Sequence, residues 1–286
     1  MPTPRPAPLP TPLLLLVLLP LLLGGCGLFG KTAPKEDPAG VPVEILYNRG
    51  ADAMMVRKYS LAVTQFDYVE QYYPFSPWAS NAQIMESYGD YLQAKYVDCI
   101  AVLDRFIQLH PSHRDISYAY YMRSLCFYEQ IEDIQRDQKG TQDAMAALQE
   151  VVNRFPDSAY ARDARLKIDL ARDHLAGKEM DIGRFYEHQH LYAAALGRYQ
   201  RVVDDYQTTN HVAEALHRLV EIYLLLGLPE QATRAAAVLG HNYPGSEWYL
   251  DSYDQLVADG QVKGQRVELP APDRPGLIGR VLDWIF

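Results

Sequence analysis

A short segment near the amino terminus matches the letters of a phosphate-binding loop. Residues Gly25 to Thr32 fit G-x-x-x-x-G-K-[ST], in which backbone N–H groups and the lysine hold phosphate oxygens. That chemistry needs a strand before the loop and a helix that starts at the lysine. Here a leucine-rich segment precedes the loop and Pro34 follows it. The context therefore argues against a nucleotide site.

Two histidine pairs, His110 with His113 and His188 with His190, have spacings that a metal ion can bridge. A tetrahedral zinc site takes four ligands, and no cysteine or carboxylate pair nearby completes either set. The motifs G-x-S-x-G and H-E-x-x-H do not occur in the sequence. We predict no metal, no cofactor and no catalytic residue, and therefore a protein that is not an enzyme. This absence disfavours the hypothesis of a hydrolase hidden in a helical fold.

Cys26 carries the clearest chemical signal. The stretch from Leu13 to Leu23 is almost pure leucine, and its eleven residues are too few for a membrane span of about 20. Arg5 before it and small residues after it are typical of an export signal. The ending Leu-Gly-Gly-Cys resembles the bacterial lipobox, in which a peptidase cuts before the cysteine and the thiol is acylated. We predict a signal peptide at residues 1–25 and a covalent lipid on Cys26; the alternative is a secretory signal followed by an incidental cysteine.

Proline-rich segments flank a long helical region. Residues 26–42 hold three prolines among charged side chains and are predicted to be a lipidated tether. Residues 43–259 have the periodicity of helices interrupted by turns, and 260–286 form a proline-rich tail with an apolar end at 277–286. That end either packs on the last helices or docks on a partner.

Gly27, directly after Cys26, is compatible with transfer to the outer membrane, whereas an aspartate at this position resembles an inner-membrane retention signal.

Five predicted helix ends share one register. Each end is an aromatic residue or histidine followed by proline, or by glutamine in one case. Counting back from that second residue, the position twelve earlier is always small, and the positions eight and five earlier are almost all larger apolar residues. The five sets are Ala62, Phe66 and Val69 before Pro74; Cys99, Leu103 and Phe106 before Pro111; Ala144, Leu148 and Val151 before Pro156; Ala195, Tyr199 and Val202 before Gln207; and Ala232, Ala236 and Leu239 before Pro244.

These offsets place one apolar stripe on each helix, with a small residue where a second helix approaches closely. Gly50 and Gly183 occupy equivalent places on the helices before two of these ends. The pattern is similar to that of tetratricopeptide repeats, which are helical hairpins of about 34 residues. We predict an all-α solenoid of about five helical hairpins, with a charged loop at Glu132 to Gly140 and a capping helix at 246–258. Such a solenoid has a concave surface for extended peptides or partner domains.

Two cysteines, Cys99 and Cys126, lie within apolar helical stretches. Their spacing is not that of a disulfide framework, so we favour two buried thiols that act as small hydrophobic residues. A disulfide between them is the alternative, because exported proteins meet an oxidising compartment.

The composition limits the partners. Hydrophobic residues make up 48% of the chain, which excludes wholesale disorder. The formal net charge is −9, and no run of lysine and arginine offers the basic patch that nucleic acids require. We therefore expect protein and membrane partners and no nucleic acid.

Several blocks of sequence together resemble one known family. They are Tyr72–Ala79, Asp104–His113, Tyr120–Leu125 and Phe155–Tyr160. These blocks are similar to the BamD family of outer-membrane assembly lipoproteins, also called YfiO/ComL. The resemblance extends from Cys26 to about Leu256. It departs at Gln207, where the family often has proline, and in the long tail.

The resemblance implies a repeat protein that is lipid-anchored on the periplasmic face of the outer membrane and serves the β-barrel assembly machinery. It implies that the C-terminal repeats bind periplasmic domains of the barrel subunit BamA, beside other assembly lipoproteins, and that the N-terminal repeats meet unfolded outer-membrane β-barrel proteins. Tyr73 matches a substrate-recognition tyrosine, and Phe75 and Trp78 belong to the same block. Arg198 matches an arginine implicated in coupling to BamA.

Each of these residues also has a plainer interpretation. Tyr73 is at a position that caps a repeat core, and Arg198 precedes the core residue Tyr199, so it is expected to be a lone exposed cation. The alternative function is that of another periplasmic repeat lipoprotein, such as a scaffold for cell-wall enzymes or for pilus assembly.

Overall fold

The computed structural model describes residues 37–261, which form eleven α-helices and one short 3-10 turn at Pro38–Gly40. No strand occurs among the described residues. In chain order the helices are α1 (Val43–Met55), α2 (Tyr59–Tyr72), α3 (Ala79–Leu92), α4 (Tyr96–Leu109), α5 (Ile116–Tyr128), α6 (Lys139–Arg154), α7 (Ala159–His188), α8 (Tyr192–Asp205), α9 (Val212–Leu225), α10 (Pro229–Asn242) and α11 (Glu247–Ala258).

Each helix packs mainly on the helix before it and the helix after it. The first ten helices therefore form five hairpins, each made of a first helix A and a second helix B. The last helix, α11, packs on both α9 and α10 and closes the final hairpin. This arrangement confirms the predicted all-α class, the five repeats and the capping helix.

The predicted apolar stripe forms the core. All fifteen positions of the shared register are fully buried except Ala236, which is 6% exposed. A side chain at Gly50 would begin 2.7 Å from the ring of Phe66, and one at Gly183 would collide with the ring of Tyr199. The two glycines therefore admit the largest core side chains of their hairpins.

Four of the five hairpins turn from helix A to helix B in the same way. Helix α3, for example, ends with the Ala94 N–H bonded to the Tyr91 carbonyl at 2.9 Å and the Lys95 N–H bonded to the Asp90 carbonyl at 3.0 Å. These bonds satisfy carbonyl groups at the end of the helix and require one residue in the left-handed region. The left-handed residues are Arg57, Ala94, His190 and Gly227, with φ of 59°, 57°, 59° and 70°.

The five shared helix ends are 37, 45, 51 and 37 residues apart, and the third and fourth repeats account for the two longer spacings. In the third, a loop replaces the tight turn, and α6 begins at Lys139, so Lys139 and Gly140 are helical and the predicted loop is two residues too long. In the fourth, helix α7 has 30 residues; it packs on α6 and on α8.

Cys99 on α4 and Cys126 on α5 form a disulfide across the junction of the second and third repeats, with their Cα atoms 6.9 Å apart. Both side chains are fully buried, as predicted. The preference for free thiols was wrong, because the spacing along the chain does not show that α4 and α5 bring these positions together.

Candidate partner-binding surfaces

The turn between α2 and α3 holds three of the predicted binding residues, and it exposes them differently. Tyr73 follows α2, and its hydroxyl donates a hydrogen bond to the Val41 carbonyl at 2.7 Å. The ring of Trp78 lies against that of Tyr47, with centroids 4.8 Å apart. Phe75 is 100% exposed. Tyr73 and Trp78 therefore hold the turn in place, while the whole ring of Phe75 is exposed to solvent.

The segment of chain around Phe75 is uncharged and carries a second exposed aromatic residue. No charged residue occurs from Gln71 to Met85, and Tyr72 is 43% exposed beside the turn. Pro74 and Pro77 restrict the backbone on both sides of Phe75. A rigid apolar surface of this kind fits an apolar side chain of an extended polypeptide.

Arg198 lies on α8, where it is not the lone cation that its place beside Tyr199 predicted. Its Nη1 donates to Glu179 Oε2 on α7 at 3.0 Å, and its side chain is 32% exposed. The hydrogen bond to Glu179 raises the pKa of Arg198 above its ordinary value. The sequence did not show this pairing because Arg198 and Glu179 are nineteen positions apart and lie on different helices.

A second guanidinium reaches the same carboxylate. Arg201 Nη1 donates to Glu179 Oε1 at 3.1 Å, and its side chain is 51% exposed while that of Glu179 is only 13% exposed. Arg198 and Arg201 are three residues apart on α8, so they share a face of the helix. Sequence analysis missed Arg201; a pair of arginines at this spacing was the available signal.

A further charged network joins the fourth and fifth repeats, and sequence analysis did not predict it. Arg218 on α9 contacts Glu221 at 2.8 Å, Glu214 at 3.8 Å and Glu187 of α7 at 3.9 Å. The buried hydroxyl of Tyr199 donates to Glu187 at 2.6 Å; burial, followed by this hydrogen bond, raises the pKa of Tyr199. The Arg218–Glu187 and Arg184–Glu214 pairs thus link α7 of the fourth repeat to α9 of the fifth.

A cavity of about 440 Å³ opens beside this network. Its lining comes from the ends of α7 and α9 and from the turn before α8. The residues are Arg184, Glu187, His188, His190, Tyr192, Arg218 and Leu225. Arg184 pairs with Glu214, and Arg218 pairs with Glu187 and Glu221. These two arginines therefore give the cavity no surplus positive charge to attract an anion.

Glu86 on α3 is a buried carboxyl group in the second repeat. It is 6% exposed, and neither its Oε2 nor the Oε1 of Gln83, one turn earlier, has a hydrogen-bond partner. Burial first, then the charges of Glu70, Asp67 and Asp90, raise its pKa to about 8, against a lowering by Arg105. Glu86 is therefore protonated at neutral pH.

The pair His110 and His113 packs against the core of the second repeat. The rings of His110 and His113 each pack on Phe106 with centroids 5.2 Å apart. Between Asp37 and Gln261, no group of three or more His, Cys, Asp or Glu side chains is placed to hold a metal ion.

In the same range no helix is long and apolar enough to span a membrane. Cys26, the phosphate-loop match and the segment 277–286 lie outside the described residues.

Comparison with known proteins decides the family. A family model described as "YfiO: Outer membrane lipoprotein" matches residues 40–251. The outer membrane protein assembly factor BamD of Caulobacter vibrioides is 44% identical over 241 residues, covering 84% of this chain and 79% of the relative. The BamD of Rickettsia prowazekii is 42% identical, with 84% and 94% covered, and that of Neisseria meningitidis serogroup A is 33% identical, with 74% and 83% covered.

The chain belongs to the YfiO/BamD family. The match covers all five hairpins and the first part of α11. The relatives are named as outer-membrane protein assembly factors, so membership in the YfiO/BamD family supports a role in assembling outer-membrane proteins. It confirms the resemblance that the blocks Tyr72–Ala79 and Asp104–His113 indicated.

Proposed function

We propose that this protein is a lipid-anchored scaffold of the machinery that inserts β-barrel proteins into the outer membrane. The observation that carries the proposal is the match of residues 40–251, five complete hairpins, to an outer-membrane lipoprotein family. Relatives up to 44% identical are named as assembly factors of outer-membrane proteins. The protein works on the periplasmic face and acts by binding, not by catalysis.

Cys26 attaches the scaffold to the membrane. The lipobox-like sequence before it supports cleavage there and acylation of its thiol. More than one acyl chain is needed for stable anchoring, which a lipidated amino-terminal cysteine provides. In Cys26→Ser we expect an uncleaved precursor or a soluble protein, measured by mass spectrometry of the amino terminus and by membrane fractionation. Unchanged acylation and unchanged outer-membrane fractionation would refute this assignment.

Phe75 meets the unfolded β-barrel substrate. Its full exposure on an uncharged turn supports this role, whereas Tyr73 supports the turn through Val41. Phe75→Ala should keep the parental melting temperature and reduce photocrosslinking to an unfolded β-barrel protein. Tyr73→Phe, which removes only the hydroxyl, serves as the matched variant and should lower the melting temperature instead. Parental crosslinking by Phe75→Ala would contradict the role of this residue.

The α7–α8 face around Arg198 binds the periplasmic domains of the barrel subunit BamA. Arg198 is two-thirds buried and already paired, which places it in a defined geometry for a partner. In the Arg198→Ala variant, Glu179 still pairs with Arg201. We therefore expect a change in the free energy of unfolding of less than about 1 kcal/mol, typical of surface pairs. Binding should weaken when titrated calorimetrically against the purified periplasmic domains. Parental affinity would refute this interface.

The complex itself provides the broadest test. Solubilised outer membranes should yield this protein together with the barrel subunit and other assembly lipoproteins. Co-purification with cell-wall enzymes or pilus components, and without a barrel subunit, would support the alternative scaffold function and overturn the proposal.

A further inference from the structure

The turn from α1 to α2 exposes apolar side chains beside cations. Met55 is 76% exposed and Val56 is 62% exposed, and the next two residues, Arg57 and Lys58, are exposed as well. Neither Arg57 nor Lys58 forms an ion pair with another residue of the described range, 37–261. Exposed apolar side chains next to unpaired cations are typical of a surface that meets a lipid bilayer.

The neighbouring turn, from α3 to α4, extends this surface. The Ser60 hydroxyl donates a hydrogen bond to Gln93 Oε1 at 2.6 Å and so joins the two turns. Lys95 is exposed there, and Val97 is 72% exposed. We call this surface the basic edge and define it by Met55, Val56, Arg57, Lys58, Lys95 and Val97.

The charge of the basic edge is opposite to that of the whole chain. Segments 53–66 and 92–97 hold three cations and no carboxylate, with Asp52 and Asp98 just outside them, whereas the chain has a formal net charge of −9. The turn at the other end of the first hairpin, which carries Phe75, has no charged residue. Anionic headgroups attract lysine and arginine, so the two ends of the hairpin suit different partners.

The proposed anchor leaves the basic edge within reach of the bilayer. The chain enters the first hairpin at Val41, and α1 has 13 residues, so the edge lies about 20 Å further along the hairpin. Under the proposed lipidation, the segment between Cys26 and Asp37 has a contour length of about 40 Å at most. A tether of that length can run back along α1, so the edge and the lipid can reach the same membrane.

We propose that the basic edge lies on the anionic phospholipid surface of the membrane, with its cations at the phosphate headgroups and Met55 and Val56 among the acyl chains. The contact orients the solenoid, because it places the turn of Phe75 about one helix length away from the bilayer. This inference rests on the proposed function only for the presence of a membrane nearby. The contact itself is a property of the folded first two repeats.

Flotation with lipid vesicles tests the contact in the absence of the anchor. The mature chain with Cys26→Ser has no site for acylation, so only its surface can bind. It should bind vesicles of phosphatidylcholine and phosphatidylglycerol in equal parts, bind vesicles of phosphatidylcholine alone much less, and be released by salt. Arg57→Gln with Lys58→Gln should reduce the partition coefficient roughly 25-fold, because each cation near an anionic surface contributes a factor of about five.

Two further variants separate charge and apolar contact from the fold. Arg57→Lys with Lys58→Arg keeps both charges and should bind like the parent. Val56→Ser should reduce the partition coefficient several-fold, because less apolar area enters the bilayer. All these variants should melt like the parent, since the changed side chains are exposed.

The chain offers a matched control for each kind of change. Arg162→Gln with Arg172→Gln removes the same charge from exposed positions of α7. Leu109→Ser removes an apolar side chain that is 62% exposed at the opposite end of the second hairpin. Both controls should bind anionic vesicles like the parent.

Parental binding by Arg57→Gln with Lys58→Gln, or equal binding of the parent to both kinds of vesicle, overturns the lipid contact. So does a variant that keeps vesicle binding and loses crosslinking to an unfolded β-barrel protein, because the edge then belongs to the substrate. Failure of the anchor is distinguishable. If Cys26 is not acylated in the cell but the mature chain binds vesicles through the edge, the contact stands and the anchor fails; acylation without vesicle binding has the opposite meaning.

Discussion

At the scale of single residues, the structure buries carboxyl groups on α3 that the sequence pattern did not identify as buried. Glu86 lies on the buried face of α3, and its nearest charged groups are mainly other carboxylates. Asp90, one turn later, is 3% exposed, and burial raises its pKa to about 6. A buried carboxyl group with these neighbours folds in its protonated form.

Glu86 should therefore make the stability depend on pH. Its folded pKa of about 8 lies above the ordinary value of 4.5, so its contribution is intact below pH 4.5 and is lost as the pH rises through 8. Asp90 acts in the same direction at lower pH. Glu86→Gln should be more stable than the parent by about 1–3 kcal/mol at pH 9, and this difference should shrink towards pH 5.

Urea unfolding at a series of pH values measures this effect. Asp169→Asn, an exposed carboxylate in the middle of α7, is the control and should leave the pH profile unchanged. A Glu86→Gln profile parallel to that of the parent would mean that Glu86 is ionised in the folded protein.

At the scale of helices, the register of the small residues decides how closely two helices pack. Ala195 on α8 is fully buried, whereas Ala193 on the same helix is exposed. Ala195→Leu should destabilise the protein by about 1–3 kcal/mol, because the added methyl groups must displace α7. Ala193→Leu is the control for helix propensity and should change the melting temperature little. Equal melting temperatures for both variants would contradict the close approach at Ala195.

The helix A to helix B turns allow a stabilising change. Ala94 has φ of 57°, a conformation that costs an L residue about 1–2 kcal/mol, and the fifth repeat has Gly227 at the same place. Ala94→Gly should stabilise the protein by about 0.5–1 kcal/mol after the entropy of the unfolded glycine is subtracted. Gly227→Ala should destabilise it by a similar amount. Both changes are measured by chemical denaturation, and a loss of stability in Ala94→Gly would contradict the left-handed turn.

The sequence predicted the helices better than their contacts. The stripe through Ala62, Phe66 and Val69 and its four copies identified the core, because burial repeats with the period of a helix. The left-handed turns were missed because only Gly227 among them is glycine. The pairing of Arg198 with Glu179 was missed because side-chain contacts between helices depend on the packing angle, which the register alone does not give.

At the scale of the whole molecule, one covalent bond links neighbouring repeats of the solenoid. The disulfide between Cys99 and Cys126 joins the second repeat to the third. Replacing both cysteines with alanine should lower the free energy of unfolding by about 3–4 kcal/mol, as expected for a closed loop of this length. Denaturation of the double variant beside the oxidised parent measures the effect, and the reduced parent serves as the control. A double variant as stable as the oxidised parent would show that the bond does not form in the protein.

The hydrogen bond from Tyr73 to Val41 fastens the chain to the first repeat just after the 3-10 turn. Under the proposed lipidation of Cys26, eleven peptide steps would connect the acylated residue to Asp37, with a contour length of about 40 Å at most. Tyr73 ties the turn that carries Phe75 to that same segment, so the proposed anchor would confine encounters of Phe75 with an incoming chain to a layer close to the membrane. Residues inserted before Asp37 would deepen that layer without altering a contact in the folded repeats.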